Sequence, residues 1–172
     1  VLSGEEDLNN FSTDIYSLVF NVDDEVFSNV ELREALYSGV DKEKIKEDVL
    51  GFSGAAVETP LSPYFMGELE GLTIPKSFDP QRSREIISNN PEFLEEFISI
   101  AYVEEDFLSK AIGEFVRYDL LNLGLQVELL PLPYEEFQKF ILEDRAFGAA
   151  IIRFTGNHDP YRIMNRFTTK TR

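Results

Sequence analysis

The sequence predicts an α/β fold, a mixed but mostly parallel sheet with flanking helices. Three observations point there. Between Phe107 and Phe154, stretches with helical periodicity alternate with stretches that read as strands. Gly124 stands where the first helix of that series must stop, because glycine takes the left-handed cap conformation without steric cost. Phe147–Phe154 is a nearly uncharged apolar run, as expected of a central strand buried on both faces. Three strands joined by two helices, from Phe97 to Phe154, make a βαβαβ unit with parallel strands and right-handed crossovers.

The individual elements follow in chain order. Val1–Asn10 is polar and acidic and reads as a frayed start. Asp14–Val22 is a strand with Ile15, Ser17 and Val19 on one side. Asp23-Asp24-Glu25 is a solvated loop; a calcium loop needs spaced ligands and a glycine turn, which these adjacent carboxylates do not offer. Val26–Leu36 enters a helix, with Ser28 or Asn29 as N-cap. Val40–Ile45 starts another, capped by Asp41 with Lys44 at the third helical position. Gly51–Ser77 is dense in turn-formers (Gly51, Gly54, Pro60, Pro63, Gly67, Gly71 and Pro75) and reads as one long irregular excursion of the kind that covers functional sites.

Asp79-Pro80 opens a helix through Ile86 and Ile87 that ends at Asn89-Asn90-Pro91, and Phe93–Val103 is strand-like. Glu104-Glu105-Asp106 sits at the positive end of the next helix dipole, where carboxylates are favoured. That helix is Phe107–Leu123, with Ile112, Val116, Leu120 and Leu123 on one face. Leu125–Leu130 alternates as a strand does. Tyr134–Leu142 is a short amphipathic helix whose apolar side is Phe137, Phe140 and Ile141. From Tyr161 the chain turns basic (Arg162, Arg166, Lys170, Arg172) and reads as a partial helix.

Composition excludes several function classes. A chain of 172 residues builds one domain with a sizeable core. Its 43% hydrophobic and 13% aromatic content is that of a folded globule rather than a disordered acidic segment. A formal net charge of −16 disfavours nonspecific attraction to nucleic acid or anionic lipid. Without cysteine there is no disulfide framework and no thiolate metal site. No apolar run reaches the roughly 20 residues that a membrane span needs. The chain opens on Val1-Leu2-Ser3-Gly4 with neither methionine nor signal peptide, and is expected to be an excerpt from something longer.

Motifs for chemistry are sparse. The one histidine, His158, stands beside Asp159 in the loop Thr155-Gly156-Asn157-His158-Asp159-Pro160. No G-x-S-x-G elbow occurs to complete a serine triad, and neither phosphate-cradling glycine motif is present. A zinc site with one histidine and no cysteine would need several carboxylates, an unusual set. Glu104, Glu105 and Asp106 are expected to serve as helix-start charges rather than general bases. The aromatics Phe11, Tyr16, Phe20, Tyr64, Phe65 and Tyr102 read as core rather than a ligand platform. The expectation is therefore no catalytic residue, no metal and no cofactor. The polar loop at the end of the last strand is the candidate working surface, since ligands of open α/β sheets sit at the carboxyl ends of strands.

Four stretches together carry a resemblance. Val26-Phe27-Ser28-Asn29-Val30-Glu31-Leu32-Arg33-Glu34-Ala35-Leu36 is similar to a pattern P-F-x-D-x-R-V-R-x-A-L, and Tyr37–Ile45 to its continuation A-I-D-R-x-x-I. Gly113–Leu120, through Gly124-Leu125, is similar to A-E-x-I-Q-x-D-L-x-x-I-G-I. Phe147–Ile152 with Phe154–Pro160 resembles Y-D-x-x-x-x-G-W-x-G-D-x-x-D-P. In this order they resemble the oligopeptide, dipeptide and nickel-binding family of extracellular solute-binding proteins, family 5, which serve ABC importers.

The resemblance implies that residues 1–172 are a single lobe of a two-lobed periplasmic-binding-protein type fold, which clamps its ligand by hinge closure. Its partners would be a peptide or other small-molecule ligand (an oligosaccharide in some relatives), the second lobe of the same parent chain, and an ABC permease, with no nucleic acid and no membrane span in this chain. Its place would be periplasmic or extracellular, with lipid anchoring of the parent left open. The implied cleft-lining residues are Phe154, Thr155, Gly156, Asn157, His158 and Asp159. Tyr64 and Phe65 in the long loop are outside candidates, and Arg33 is expected to support its helix start through local bonds.

The sequence departs from the pattern where the family's acid pairs with a peptide amine. Asn157 stands there, in a loop one residue shorter, and an amide cannot neutralise an ammonium. Asp159 could take that role in the shortened register. Phe154 replaces the tryptophan and Arg153 the glycine before it. The competing reading is a freestanding hydrolase-like or metal-dependent enzyme using His158 with Asp159 or Glu105. A third is a sensor or docking module for a protein partner.

Overall fold

The structure, a computed structural model, describes residues 14–51, 53–58 and 77–155. The chain divides into two compact units. The larger comprises residues 18–56 and 76–152, the smaller residues 1–17, 57–75 and 153–172. The described elements are β1 (Ile15–Phe20), α1 (Val30–Gly39), α2 (Lys42–Ile45), α3 (Pro80–Asn89), β2 (Phe97–Val103), α4 (Phe107–Asn122), β3 (Gln126–Leu132), α5 (Tyr134–Gln138) and β4 (Ala149–Phe154).

The four strands form one sheet in the order β1-β4-β2-β3. β2 and β3 are parallel, in register from Phe97 opposite Gln126 to Val103 opposite Leu132. β4 lies parallel on the other side of β2, with Ile100 opposite Ala149 and Ala101 opposite Ala150. The predicted parallel strands are therefore present, and the last of them is an inner strand, as its apolar run requires. The N–H of Asn21, just after β1, donates to the carbonyl of Gly148, just before β4, at 2.8 Å. β1 therefore runs against β4, which makes the sheet mixed.

Of the described helices, α1 to α4 start where a side chain takes their orphan amides, while α5 begins after Pro133 without such a cap. Asn29 Oδ1 accepts from the N–H of Glu31 at 2.9 Å, so Asn29 rather than Ser28 caps α1. Asp41 accepts from Lys44 N–H at 3.0 Å and opens α2 as predicted. Asp79 accepts from Arg82 N–H at 2.9 Å, with Pro80 pre-set for the first turn of α3. α2 runs on into a wider π turn, Lys46–Leu50, that ends at Gly51 with φ +56°.

The sheet is covered on both faces. α4 buries Ser109, Gly113, Val116 and Leu120. The side chains of Leu129 and Ile151 come within 3.3 Å of where a Cβ on Gly113 would stand, so the missing side chain lets the helix approach the sheet. The predicted stripe is thus turned slightly, with Val116 and Leu120 in the core and Ile112 and Leu123 half-buried. On the opposite face, Ala101 and Ala150 pack with Phe137 and Ile141, flanked by Leu130, Leu132, Phe140, Phe147 and Ile152. Ser83 Oγ of α3 donates to the Ala35 carbonyl at 2.8 Å, joining α3 to α1 where both are buried.

Several boundaries differ from expectation. Phe93–Glu96 is not strand: Pro91 nucleates a 3₁₀ turn, Pro91–Leu94, that buries Phe93, and pairing begins only at Phe97. The helix at Tyr134 is α-helical only to Gln138 and then widens to a π turn, Lys139–Glu143, which still buries Ile141. Phe147 and Gly148 precede β4 rather than belonging to it. Val1–Asn10, most of the long excursion and the basic segment from Tyr161 lie outside the described residues. Among the described residues no helix is long and apolar enough to cross a membrane.

Candidate functional site

Of the predicted cleft residues, Phe154 and Thr155 are described. Phe154 ends β4 and is half-buried, and Thr155 follows it, exposed. Gly156, Asn157, His158 and Asp159 lie outside the described residues, as do Tyr64 and Phe65. Within the smaller unit, Arg153 stands just before Phe154. Its guanidinium donates to Asp14 Oδ2 from both Nε and Nη2 and stands 5.9 Å from the ring centroid of Tyr16. Asp14 and Tyr16 share a face because strand side chains alternate. A paired guanidinium over an aromatic face is restricted in orientation, and here it ties Arg153 to the residues at the start of β1.

This trio was missed in the sequence, although its signal was present. A carboxylate and an aromatic two apart at the start of one strand can meet a cation at the end of an antiparallel neighbour. The pairing could not be read without knowing that β1 lies beside β4.

The remaining candidates lie in the larger unit and serve the fold. Arg33 Nη1 donates to the carbonyls of Phe27 and Ser28, the latter at 3.1 Å, so it ties down the approach to α1 as predicted. Asp106 is the N-cap of α4: Oδ1 accepts from Leu108 N–H at 3.0 Å and Ser109 N–H at 3.3 Å, and Oδ2 from Ser109 Oγ at 3.1 Å. Glu104 and Glu105 occupy the exposed turn before it.

In this unit Tyr102 and Asp119 titrate away from their ordinary range. Burial, with Glu114 and Glu104 adding, pushes the Tyr102 phenol up, so it stays neutral in the core. Burial also raises the Asp119 carboxyl, against the stabilising hydrogen bond from Asp41 N–H. Among the described residues no three histidine, aspartate or glutamate side chains converge as metal ligands would.

No curated protein sequence matches the chain. Solved structures do. The putative peptide-binding protein AppA from Clostridium difficile superposes with a TM-score of 0.77 at 16% identity, over 93% of this chain and 34% of that one. AppA from Bacillus subtilis, solved in complex with a nonapeptide, gives 0.78 at 16% identity, over 88% of this chain and 33% of that one. A dipeptide-binding protein from Pseudoalteromonas sp. SM9913, in complex with Met-Leu, gives 0.71 at 21% identity, over 89% and 31%. The chain thus spans about a third of the length of these proteins, and they share its fold. The profile of the bacterial extracellular solute-binding proteins, family 5, matches residues 5–172. The four short resemblances are therefore parts of one continuous match, and this chain belongs to family 5 of the bacterial extracellular solute-binding proteins.

Proposed function

We propose that residues 1–172 act as the ligand-binding lobe of a two-lobed, noncatalytic solute-binding protein that delivers peptides, or oligosaccharides, to an ABC permease. The observation that carries this reading is the family match from residue 5 to residue 172 on a fold shared with peptide-binding proteins. The ligand contacts come from the carboxyl end of β4, with Phe154, Thr155, Gly156, Asn157, His158 and Asp159 lining one wall of the cleft. The second lobe supplies the other wall, so binding energy is divided between two surfaces and this lobe alone binds weakly. The protein works in the periplasm or outside the cell.

A thermal-shift screen of the two-lobed protein against short-peptide and oligosaccharide mixtures tests the reading. Ligand binding stabilises in proportion to the logarithm of ligand concentration over Kd, so even micromolar ligands register. A shift with peptides means that Asp159 or another acid takes the amine in place of Asn157. A shift with sugars alone means that Asn157 marks a different substrate class. No shift with either counts against the reading. His158→Ala should alter affinity only; a turnover lost with that change would establish an enzyme instead.

A further inference from the structure

At the amino-terminal end of β2 and β4, the end opposite Phe154, the larger unit holds a half-open cavity of about 190 Å³. Its walls include Asp24, Phe27, Phe97, Ser99 and Gly148. Asp24 Oδ1 accepts from the N–H groups of Val26 at 3.0 Å and Phe27 at 3.1 Å. Those bonds shape the turn after β1 and fix the carboxylate in place. Oδ2 lies 3.5 Å from where a Cβ on Gly148 would stand, and among the described residues no hydrogen bond is directed to it. Phe97, the first residue of β2, keeps 57% of its surface exposed at the rim. A side chain at Gly148 would crowd its neighbour, because its Cβ would stand 2.7 Å from the Phe27 ring. The wall therefore stays open beside the carboxylate.

We propose that this pocket binds a small organic cation, a primary ammonium on a short apolar stem. Asp24 Oδ2 supplies a charge-assisted acceptor and the Ser99 hydroxyl a neutral one. The Phe27 and Phe97 rings offer apolar walls, and the exposed π face of Phe97 favours a cation over an anion. The net charge of −16 acts in the same sense at long range. A bare divalent ion is a poorer fit, since calcium takes about six to eight oxygen ligands and one carboxylate with one hydroxyl falls far short. The volume is below the roughly 300–1,000 Å³ typical of larger ligand sites, which sets the size class. None of its lining residues belongs to the stretch Phe154–Asp159, and the proposal does not depend on the identity of the transported ligand.

Saturation-transfer NMR on the full chain with n-butylammonium chloride, n-butanol and sodium butyrate tests the proposal. The expected result is a saturable signal from butylammonium and none from the isosteric alcohol or the anion. Asp24→Asn keeps an acceptor for the Val26 and Phe27 amides, and should weaken butylammonium binding at least about tenfold, the scale of a hydrogen bond to a charged group. Phe97→Ala, at an exposed rim position, should weaken it severalfold without affecting the fold, and stands in if Asp24→Asn does not fold. The proposal is overturned by the absence of a saturable butylammonium signal, by an equal signal from butanol, or by undiminished binding in both folded variants.

Discussion

The ring of Phe27 occupies the space that a side chain at Gly148 would need. A Cβ at residue 148 would stand 2.7 Å from Cε2 and 2.9 Å from Cδ2 of that ring. Phe27 cannot swing clear, because it is 2% exposed and stacks on Phe20 with ring centroids 5.3 Å apart. Gly148→Ala is therefore an overpacking change and should cost about 1–3 kcal/mol, measured by urea denaturation. A variant as stable as the wild type would mean that the turn between α5 and β4 yields freely.

Asp106 holds three donors at the start of α4, the helix that covers one face of the sheet. Asp106→Ala should lower stability by about 1–2 kcal/mol, the usual cost of losing an N-cap. Asp106→Asn, which still caps, should lose only a few tenths. Equal losses in the two variants would show that the Asp106 charge, rather than its acceptor geometry, is what matters.

Asp119 gives a pH dependence with a definite sign. Burial raises its carboxyl pKa above the ordinary 3.8, and the Asp41 carboxylate adds to this, while the hydrogen bond from Asp41 N–H and the Lys44 ammonium oppose it. The folded state therefore holds the proton more tightly than the unfolded chain does. Between 3.8 and the raised value, stability from this group falls as pH rises. Asp119→Asn should remove that slope. At neutral pH it should differ from the wild type by less than about 1 kcal/mol, because solvent screens the half-exposed group. Denaturation curves at pH values on either side of that window would show a parallel slope in the variant if the assignment were wrong.

Arg153 and Asp14 form an ion pair whose arginine is 47% exposed. Such pairs contribute little, so Arg153→Gln should change unfolding free energy by less than about 1 kcal/mol. The difference should shrink further at high salt. A loss well above that in calorimetry would mean that the pair supports more of β4 than its own end.

Much of this fold was legible because local chemistry and tertiary packing agree. Gly124, with φ +90°, ends α4 where a cap was expected, and Asp41 and Asp79 open their helices as their spacing dictates. The misplaced start of β2 came from competing signals. Phe93 is as apolar as a strand residue, but Pro91 and Asn90 turned the chain first: Asn90 accepts from Phe93 N–H at 3.0 Å through its carbonyl. The candidate site was legible only in part. Position after a strand singled out Phe154 and Thr155, whereas the partners of Arg153 depend on a strand neighbour that no local pattern encodes. The pocket beside Asp24 gathers residues from three separate stretches of chain, and a run of adjacent carboxylates read alone gives only a solvated loop.

The strand order also bears on how the molecule comes together in time. Of the four described strands β1 is made first, yet its neighbour in the sheet is β4, and the Asn21 side chain that joins their ends reaches Phe147, 126 residues away. β2 and β3 are joined through α4 alone and can pair early, since short loops close fast and distant contacts slowly. β4 can then add to β2, and β1, whose neighbour is β4, docks only after β4 has been made. Pulsed hydrogen exchange during refolding should show amides of β2 and β3 protected before those of β1, and simultaneous protection would refute this order. A strand that waits for so distant a partner is one that a folding factor can still grasp.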